Sequence, residues 1–186
     1  AARRAGVAKF VYVSVLHGPE LLHLEIVKAH EDFVAELGSS GIEYAVLRPT
    51  GYFSDMGEFF EMARKGRVYL VGPGRHRVNP IHGADLAVSC ADAVKAQRRE
   101  IDVGGPEVFT YREIAELAFR SLNKPARITA VPVWLMRLAV ATTKVLSRHQ
   151  GELLAFFTTA MTRDTLAPAV GTHRLADHFS ILASTD

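Results

Sequence analysis

Apolar and polar positions follow two different periods along this chain. Residues 1–6 read as the last turn of a helix already under way, closed by Gly6 as a C-cap. Ala1 is not a start methionine, so the chain is expected to continue upstream. Phe10-Val11-Tyr12-Val13-Ser14-Val15 is a nearly unbroken apolar run, the pattern of a parallel strand buried on both faces. After Gly18-Pro19, Leu22, Ile26, Ala29, Phe33 and Leu37 recur at spacings of three and four, which predicts a helix over 20–37 with one apolar stripe. The stretch from Gly38 to Gly41 ends it, and Tyr44-Ala45-Val46-Leu47 supplies a second short strand. Strand, helix and strand joined by short turns is the signature of a right-handed parallel crossover, and it sets the class as α/β.

Beyond Arg48 the elements shorten. The pattern predicts a helix over 55–65, a strand over 68–71, a strand fragment over 78–81 after a loop rich in glycine and proline, and a helix over 83–95. Asp85 falls in the first turn of that helix, where a carboxylate complements the helix dipole. A strand over 101–103 follows. Thr110 with Glu113 has the capping-box spacing, in which each side chain satisfies the other's backbone donor, and so marks a helix start. Residues 128–131 read as an edge strand, residues 134–148 and 153–161 as two apolar helices separated near Gly151, and the final stretch shows no clear pattern.

Composition narrows the function classes. With 48% hydrophobic residues the chain can bury a continuous core. Its 22 basic and 20 acidic residues are nearly balanced and form no block, which argues against a nucleic-acid partner. The one cysteine, Cys90, lies in an apolar run that reads as buried helix, so it is expected to be core filler in a protein of a reducing, cytoplasmic compartment. The longest apolar stretch, 131–146, is interrupted by Arg137 and Lys144 and falls short of the ~20 residues a bilayer requires, so no integral membrane segment is expected. Trp134, Leu135, Met136 and Leu138 read as core or a subunit contact, with a membrane-surface role only if the stripe is exposed; a homo-oligomer or larger assembly stays open. The eight histidines form no HExxH pair, and His23 and His30, on one helix face, lack an acidic residue to complete a site. No metal is expected.

Several segments, in this order, resemble the atypical short-chain dehydrogenases, the group that includes the NmrA-like NAD(P)-binding proteins. AGVAKFVYVSV is similar to that group's strand ending in a serine at the cofactor edge, KAHEDF to its lysine-bearing helix, and LRPTGYFSDM to its loop over the nicotinamide. NPIHGADLA and VGGPEVFTYREIAELAF are similar to its substrate-side helix and the strand and helix that follow. The resemblance implies that residues 1–54 are the C-terminal portion of a Rossmann-type, doubly wound parallel sheet. Residues 55–132 would form a smaller substrate-side α/β region, and 133–186 a helical extension.

The departures carry as much meaning. Conventional members have a tyrosine four residues before the lysine, held ready to exchange a proton while hydride moves. Here that position is Leu24, which cannot transfer a proton, although Lys28 remains. No glycine-rich phosphate loop is present: Gly72-Gly74 and Gly104-Gly105 follow no first strand and open no dinucleotide-type helix, so the loop is expected upstream of Ala1. The cofactor is then NAD or NADP, because the residue that reads the ribose 2′ position would lie upstream as well.

The resemblance implies that Ser14 and Lys28 orient substrate and nicotinamide ribose and that Pro49, Thr50, Gly51, Tyr52 and Phe53 cover the nicotinamide. The positions of His17, Met56, Asn79 and His82 suit the wall of a substrate pocket. Residue by residue, plainer readings compete: a strand-end serine bonded to its own backbone, a solvated Lys28, an ordinary turn whose aromatics plug the core, and histidines that pack or cap. Arg48 is expected to anchor structure through a carboxylate such as Asp85. The function expected is that of an NAD(P)-dependent oxidoreductase-like protein moving hydride to or from a small organic substrate, with its proton donor unassigned. The alternative, which Leu24 supports, is a non-catalytic NAD(P)-sensing or scaffold protein.

Overall fold

The computed structural model describes residues 2–184. A 3₁₀ turn at Ala2–Ala5, closed by Gly6 at φ 67°, stands where a helix end was expected; Ala1 lies outside the described residues. The elements then run β1 (Lys9–Val13), α1 (Glu25–Ser39), β2 (Glu43–Pro49), α2 (Phe53–Arg64), β3 (Val68–Val71), β4 (Arg77–Val78), α3 (Gly83–Ala93) and β5 (Glu100–Val103). After them come β6 (Phe109–Thr110), α4 (Tyr111–Ser121), β7 (Ile128–Val131), α5 (Val133–Leu146), α6 (Arg148–Ala160) and α7 (Leu175–Ser184).

Strands β1, β2 and β5 form a parallel sheet with β2 at its centre. Ala45 and Leu47 of β2 pack with Leu86 and Ala93 of α3, whereas Arg48, on the alternate face, bonds Glu31 of α1. Because successive strand side chains point to opposite faces, α1 and α3 cover the two sides of one sheet, which is doubly wound. This first layer draws α3 and β5 from beyond residue 54.

Two expectations fail here. β1 is only half-buried along its length, since among the described residues it pairs with β2 alone and forms the sheet edge. Helix α1 begins at Glu25 because Gly18–Glu20 first make a 3₁₀ turn entered through a left-handed His17 at φ 58°. Its buried residues are Val27 and Leu37, with Leu24 just before it, while Leu22, Ile26 and Phe33 stay exposed. Phe33 instead packs on the rings of Phe10 and Tyr12 of β1, at 5.8 and 4.6 Å between centroids.

The largest core lies in the second layer, where α2, α4 and α7 bring together Phe60, Ile114, Phe119, Leu175 and Phe179 against β3. Strand β3 pairs in parallel with β7, and β4 antiparallel with β6. Helix α4 begins at the expected Thr110–Glu113 capping box. Helix α7 corrects the view of the final stretch as unpatterned: Leu175 and Phe179, four apart, are fully buried, too few positions to register as a period. Thr185 and Asp186 lie outside the described residues.

Helices α5 and α6 break at Ser147, which caps α6 by accepting from Gln150 N–H, and not at Gly151. Gly151 sits inside α6 for a different purpose. A Cβ there would lie 2.4 Å from Lys144 Cγ and 2.7 Å from its Cα, so the glycine lets the two helices approach closely. Among the described residues, no helix is long and apolar enough to cross a membrane.

Candidate active site

Ser14 follows the carboxyl end of β1 and is buried. Its hydroxyl donates to Glu31 Oε1 at 2.8 Å and accepts from Arg48 Nη1 at 3.4 Å. The Arg48 guanidinium holds Glu31 through both terminal nitrogens at 2.6 and 2.9 Å, reaches the Val15 carbonyl at 3.2 Å and bonds Glu100 through Nε at 3.0 Å. Arg48 therefore does anchor structure through carboxylates, but Glu31 and Glu100 take the place expected of Asp85. Asp85 instead accepts from the backbone N–H groups of Thr172 and His173 and bonds the His173 ring at 2.8 Å.

Burial works against ionisation of Glu31, but the hydrogen bonds from Arg48 and Ser14 outweigh it and hold the carboxyl below its ordinary range. Bonding to Glu31 likewise raises the Arg48 value. The pair needs Gly18 beside it, since a Cβ there would fall 2.2 Å from Glu31 Oε1 and 2.7 Å from Arg48 Nη1.

Next to this polar cluster opens a cavity of about 480 Å³, within the range of small-molecule sites. Ser14, Val15 and the turn Pro49, Thr50, Gly51, Tyr52 form its sheet side. Met56, Phe59 and Met62 of α2 with Tyr111 of α4 form one wall, and Leu154, Phe156, Phe157 and Met161 the side facing α6. Thr50 fixes the turn by donating its hydroxyl to the Asn79 carbonyl at 2.6 Å. Two groups whose protonated forms are favoured by burial line this mostly apolar space. Burial raises the Asp55 carboxyl above its ordinary value, against the opposing bond from Tyr52 N–H, and burial pushes the Tyr111 phenol up to about 12.

Of the residues expected at the site, Ser14, Pro49, Thr50, Gly51, Tyr52 and Met56 meet at this cavity. The others lie elsewhere. Lys28 is exposed, its Nζ bonded to Asp32 at 2.5 Å, on the next turn of α1. Phe53 is buried in the second-layer core, with its ring 5.4 Å from that of His82. His17 makes the left-handed turn before Gly18–Glu20 and bonds Glu20. Asn79 is a strut: its carboxamide donates to the carbonyls of Gly105 and Ala167 and accepts from Ala167 N–H. His82 caps α3 by accepting from Ala84 N–H and stacks on His173 at 4.2 Å.

Sequence reasoning missed Glu31, Asp55, Tyr111 and the α6 aromatics. Glu31 lies three residues after Lys28, and Asp55 three after Tyr52, so a helical-neighbour reading of either site residue would have found them. Nothing local marks Phe156 and Phe157, which reach the site only through the α5–α6 hairpin. Among the described residues, no group of three or more His, Cys, Asp or Glu is placed to hold a metal ion.

The chain is 32% identical over 151 residues to the chloroplastic divinyl chlorophyllide a 8-vinyl-reductase of Cucumis sativus, which takes in 75% of this chain and 36% of that protein. It is 26% identical over 141 residues to the photosystem II assembly factor Ycf39 of Guillardia theta, covering 73% of this chain and 45% of that one. In structure it matches the NADPH-dependent quinone oxidoreductase QOR2 of Escherichia coli in its NADPH complex. That match has a TM-score of 0.76 at 20% identity, over 97% of this chain and 68% of that one. The chain is similar to the atypical short-chain dehydrogenases and shares their NAD(P)-binding, Rossmann-type fold. Triphenylmethane reductase of Citrobacter sp., complexed with NADP(H), shares the fold of this chain at a TM-score of 0.73 and 16% identity, over 98% of this chain and 67% of that one. No protein-family model matches it. The chain spans little more than a third of the length of the Cucumis reductase, and Leu24, which the resemblance sets at the position of a tyrosine, is part of a buried apolar cluster with Leu21, Val27 and Ala155.

Proposed function

We propose that this chain forms the nicotinamide and substrate side of an NAD(P)-dependent oxidoreductase that reduces a flat, conjugated, largely apolar molecule. The observation that carries the reading is the cavity itself, an apolar slot between α2 and α6 that opens against the carboxyl ends of β1 and β2. In open α/β sheets ligands lie beyond those ends. Relatives and structural neighbours named as reductases of a divinyl chlorophyllide, of quinones and of triphenylmethane dyes support the substrate class.

The residues present fit a nicotinamide cofactor, either NAD or NADP: the Pro49 to Tyr52 turn offers backbone and one flat ring at the polar side of the slot, and Gly51 leaves room for close approach. When bound, the cofactor supplies the hydride. Ser14, locked by Glu31 and Arg48, orients the polar end of the ligand. Met56, Phe59 and Phe156 hold the apolar part and exclude water. Asp55, whose carboxyl burial shifts above its ordinary value, is the group at the slot placed to give the proton, the role that Leu24 cannot fill. Lys28, Phe53, His17, Asn79 and His82 stand outside this arrangement. The compartment is proposed as a reducing one, cytoplasmic or, as in the plant relatives' names, chloroplastic.

The experiment is a titration of NADH and NADPH against the gene product carried upstream to a glycine-rich turn, followed by turnover with a quinone and a triphenylmethane dye. Cofactor binding with turnover is expected. Asp55→Asn should lower kcat by on the order of a hundredfold with cofactor affinity unchanged, the scale of general acid catalysis. Binding without turnover of either probe would leave the NAD(P)-sensing or scaffold alternative, and no binding would overturn the proposal.

A further inference from the structure

Helix α5 buries none of its residues. Trp134 is 67% exposed, Val145 86% and Leu146 87%, and Leu135 and Leu138 are exposed beside them. Trp134, Leu138 and Val145 stand at i, i+4 and i+11 and so line one face, with Leu135 and Leu146 along its margin. Arg137 and Lys144, one heptad apart, flank that stripe on one side. Scattered exposed leucines need no explanation, but a continuous stripe on a helix with no buried residue does.

The charge along this part of the chain selects the occupant. Between Glu116 and Glu152 the chain has no acidic residue, while Arg120, Lys124, Arg127, Arg137, Lys144 and Arg148 fall in that interval. Lys144 and Arg148 are paired, with Glu152 and Glu25, but Arg127 and Arg137 are exposed with no ion pair among the described residues. A second copy docked through the same face would bring like basic flanks together. An anionic headgroup layer answers both halves of the pattern: the apolar stripe enters the acyl boundary, and the arginine and lysine stems reach back to the phosphates.

We infer that α5 is an interfacial helix that lays this chain on the surface of an anionic lipid bilayer. The inference stands apart from the reductase reading, since it uses neither the cavity nor a cofactor. Trp134 is the chain's single tryptophan and so reports on the stripe directly.

The test mixes the chain with vesicles of phosphatidylglycerol or of phosphatidylcholine, and reads Trp134 emission and flotation. A blue shift and co-flotation with phosphatidylglycerol alone are expected. Leu138→Glu should weaken binding at least tenfold, and Arg137→Gln by roughly fivefold, the contribution of one basic residue near a charged surface. Both positions are exposed, and unchanged far-ultraviolet circular dichroism verifies the fold. No shift and no flotation would overturn the inference, as would equal binding to both lipids or an undiminished Leu138→Glu variant. A vesicle-free blue shift that grows with concentration and sediments as a dimer would overturn it in favour of a second copy.

Discussion

At the sheet end of the cavity, buried Ser14 and Arg48 are bonded to a partly exposed Glu31, whereas the α5–α6 hairpin opposite packs at the start of α1 through a small apolar cluster and leaves its first helix uncovered. One region is fixed by a short-range polar network in which each member needs the others. The other rests on the apolar contact of Val140, Ala155 and Phe156 with Leu21, Leu24 and Val27, on Glu152, which accepts from Glu25 N–H at 3.1 Å and pairs with Lys144, and on the Arg148–Glu25 pair at the surface. The difference assigns labour: the sheet end can hold a reacting ligand in one geometry, and the hairpin can adjust to its shape and to what lies outside.

The comparison breaks most readily at Arg48. Its side chain is almost wholly buried and joins α1, β1, β2 and β5 through Glu31, the Val15 carbonyl and Glu100. Arg48→Met keeps the volume and removes the charge, leaving the largely covered Glu31 carboxylate beside Ser14 without its cation. Losing one partner of such a pair costs about 3–5 kcal/mol, and the urea midpoint should fall accordingly. A midpoint within experimental scatter of the parent would show that the network is ornamental to stability.

A smaller effect is expected at Gly151, where α5 and α6 touch. Its Cβ has no space beside Lys144, including backbone atoms that cannot rotate away, so Gly151→Ala should push the helices apart at a cost of about 1–3 kcal/mol. The displacement would also move Leu154, Phe156 and Phe157, so ligand affinity should fall while cofactor affinity holds. Equal loss of both would mean that the hairpin and the sheet end are one rigid unit.

The parts of this molecule that were legible in the sequence are those whose signal is local. The β1–α1–β2 unit, β3 as 68–71 and the Thr110–Glu113 cap each depend on residues within one element or one turn. The faces of α1 were not legible, because Ile26 and Phe33 stay exposed, Phe33 packing on the rings of β1 and not into the core. The partner of Arg48 was not legible either. Glu31, Glu100 and Asp85 are equally good carboxylates on paper, and only the alternation of β2 against α1 brings Glu31 to it. The polar half of the site was readable through Ser14 and the Pro49 turn, while the half supplied by α6 depends on a chain reversal at Ser147, far later in sequence.

The finest test of the contrast is its pH dependence. Glu31 is depressed in the folded chain, so its contribution to stability is fully present above the unfolded value near about pH 4.3 and is lost as pH falls through the lower folded value. Glutamine does not titrate. Glu31→Gln should therefore be less stable than the parent at neutral pH, and the gap should narrow once the pH drops below that of an ordinary glutamate. Asp85, Glu113 and Asp164 are also depressed and make both proteins acid-sensitive, but they are common to the two and cancel in the difference. The measurement is a pair of urea midpoints at each pH from neutral to about pH 3, read as the difference between parent and variant. A gap that shrinks as the carboxyl protonates means that ionised Glu31 holds Arg48 and Ser14 in place. A constant gap would assign the same residues to packing and hydrogen bonding alone, and the polar wall would then differ from the hairpin in shape but not in charge.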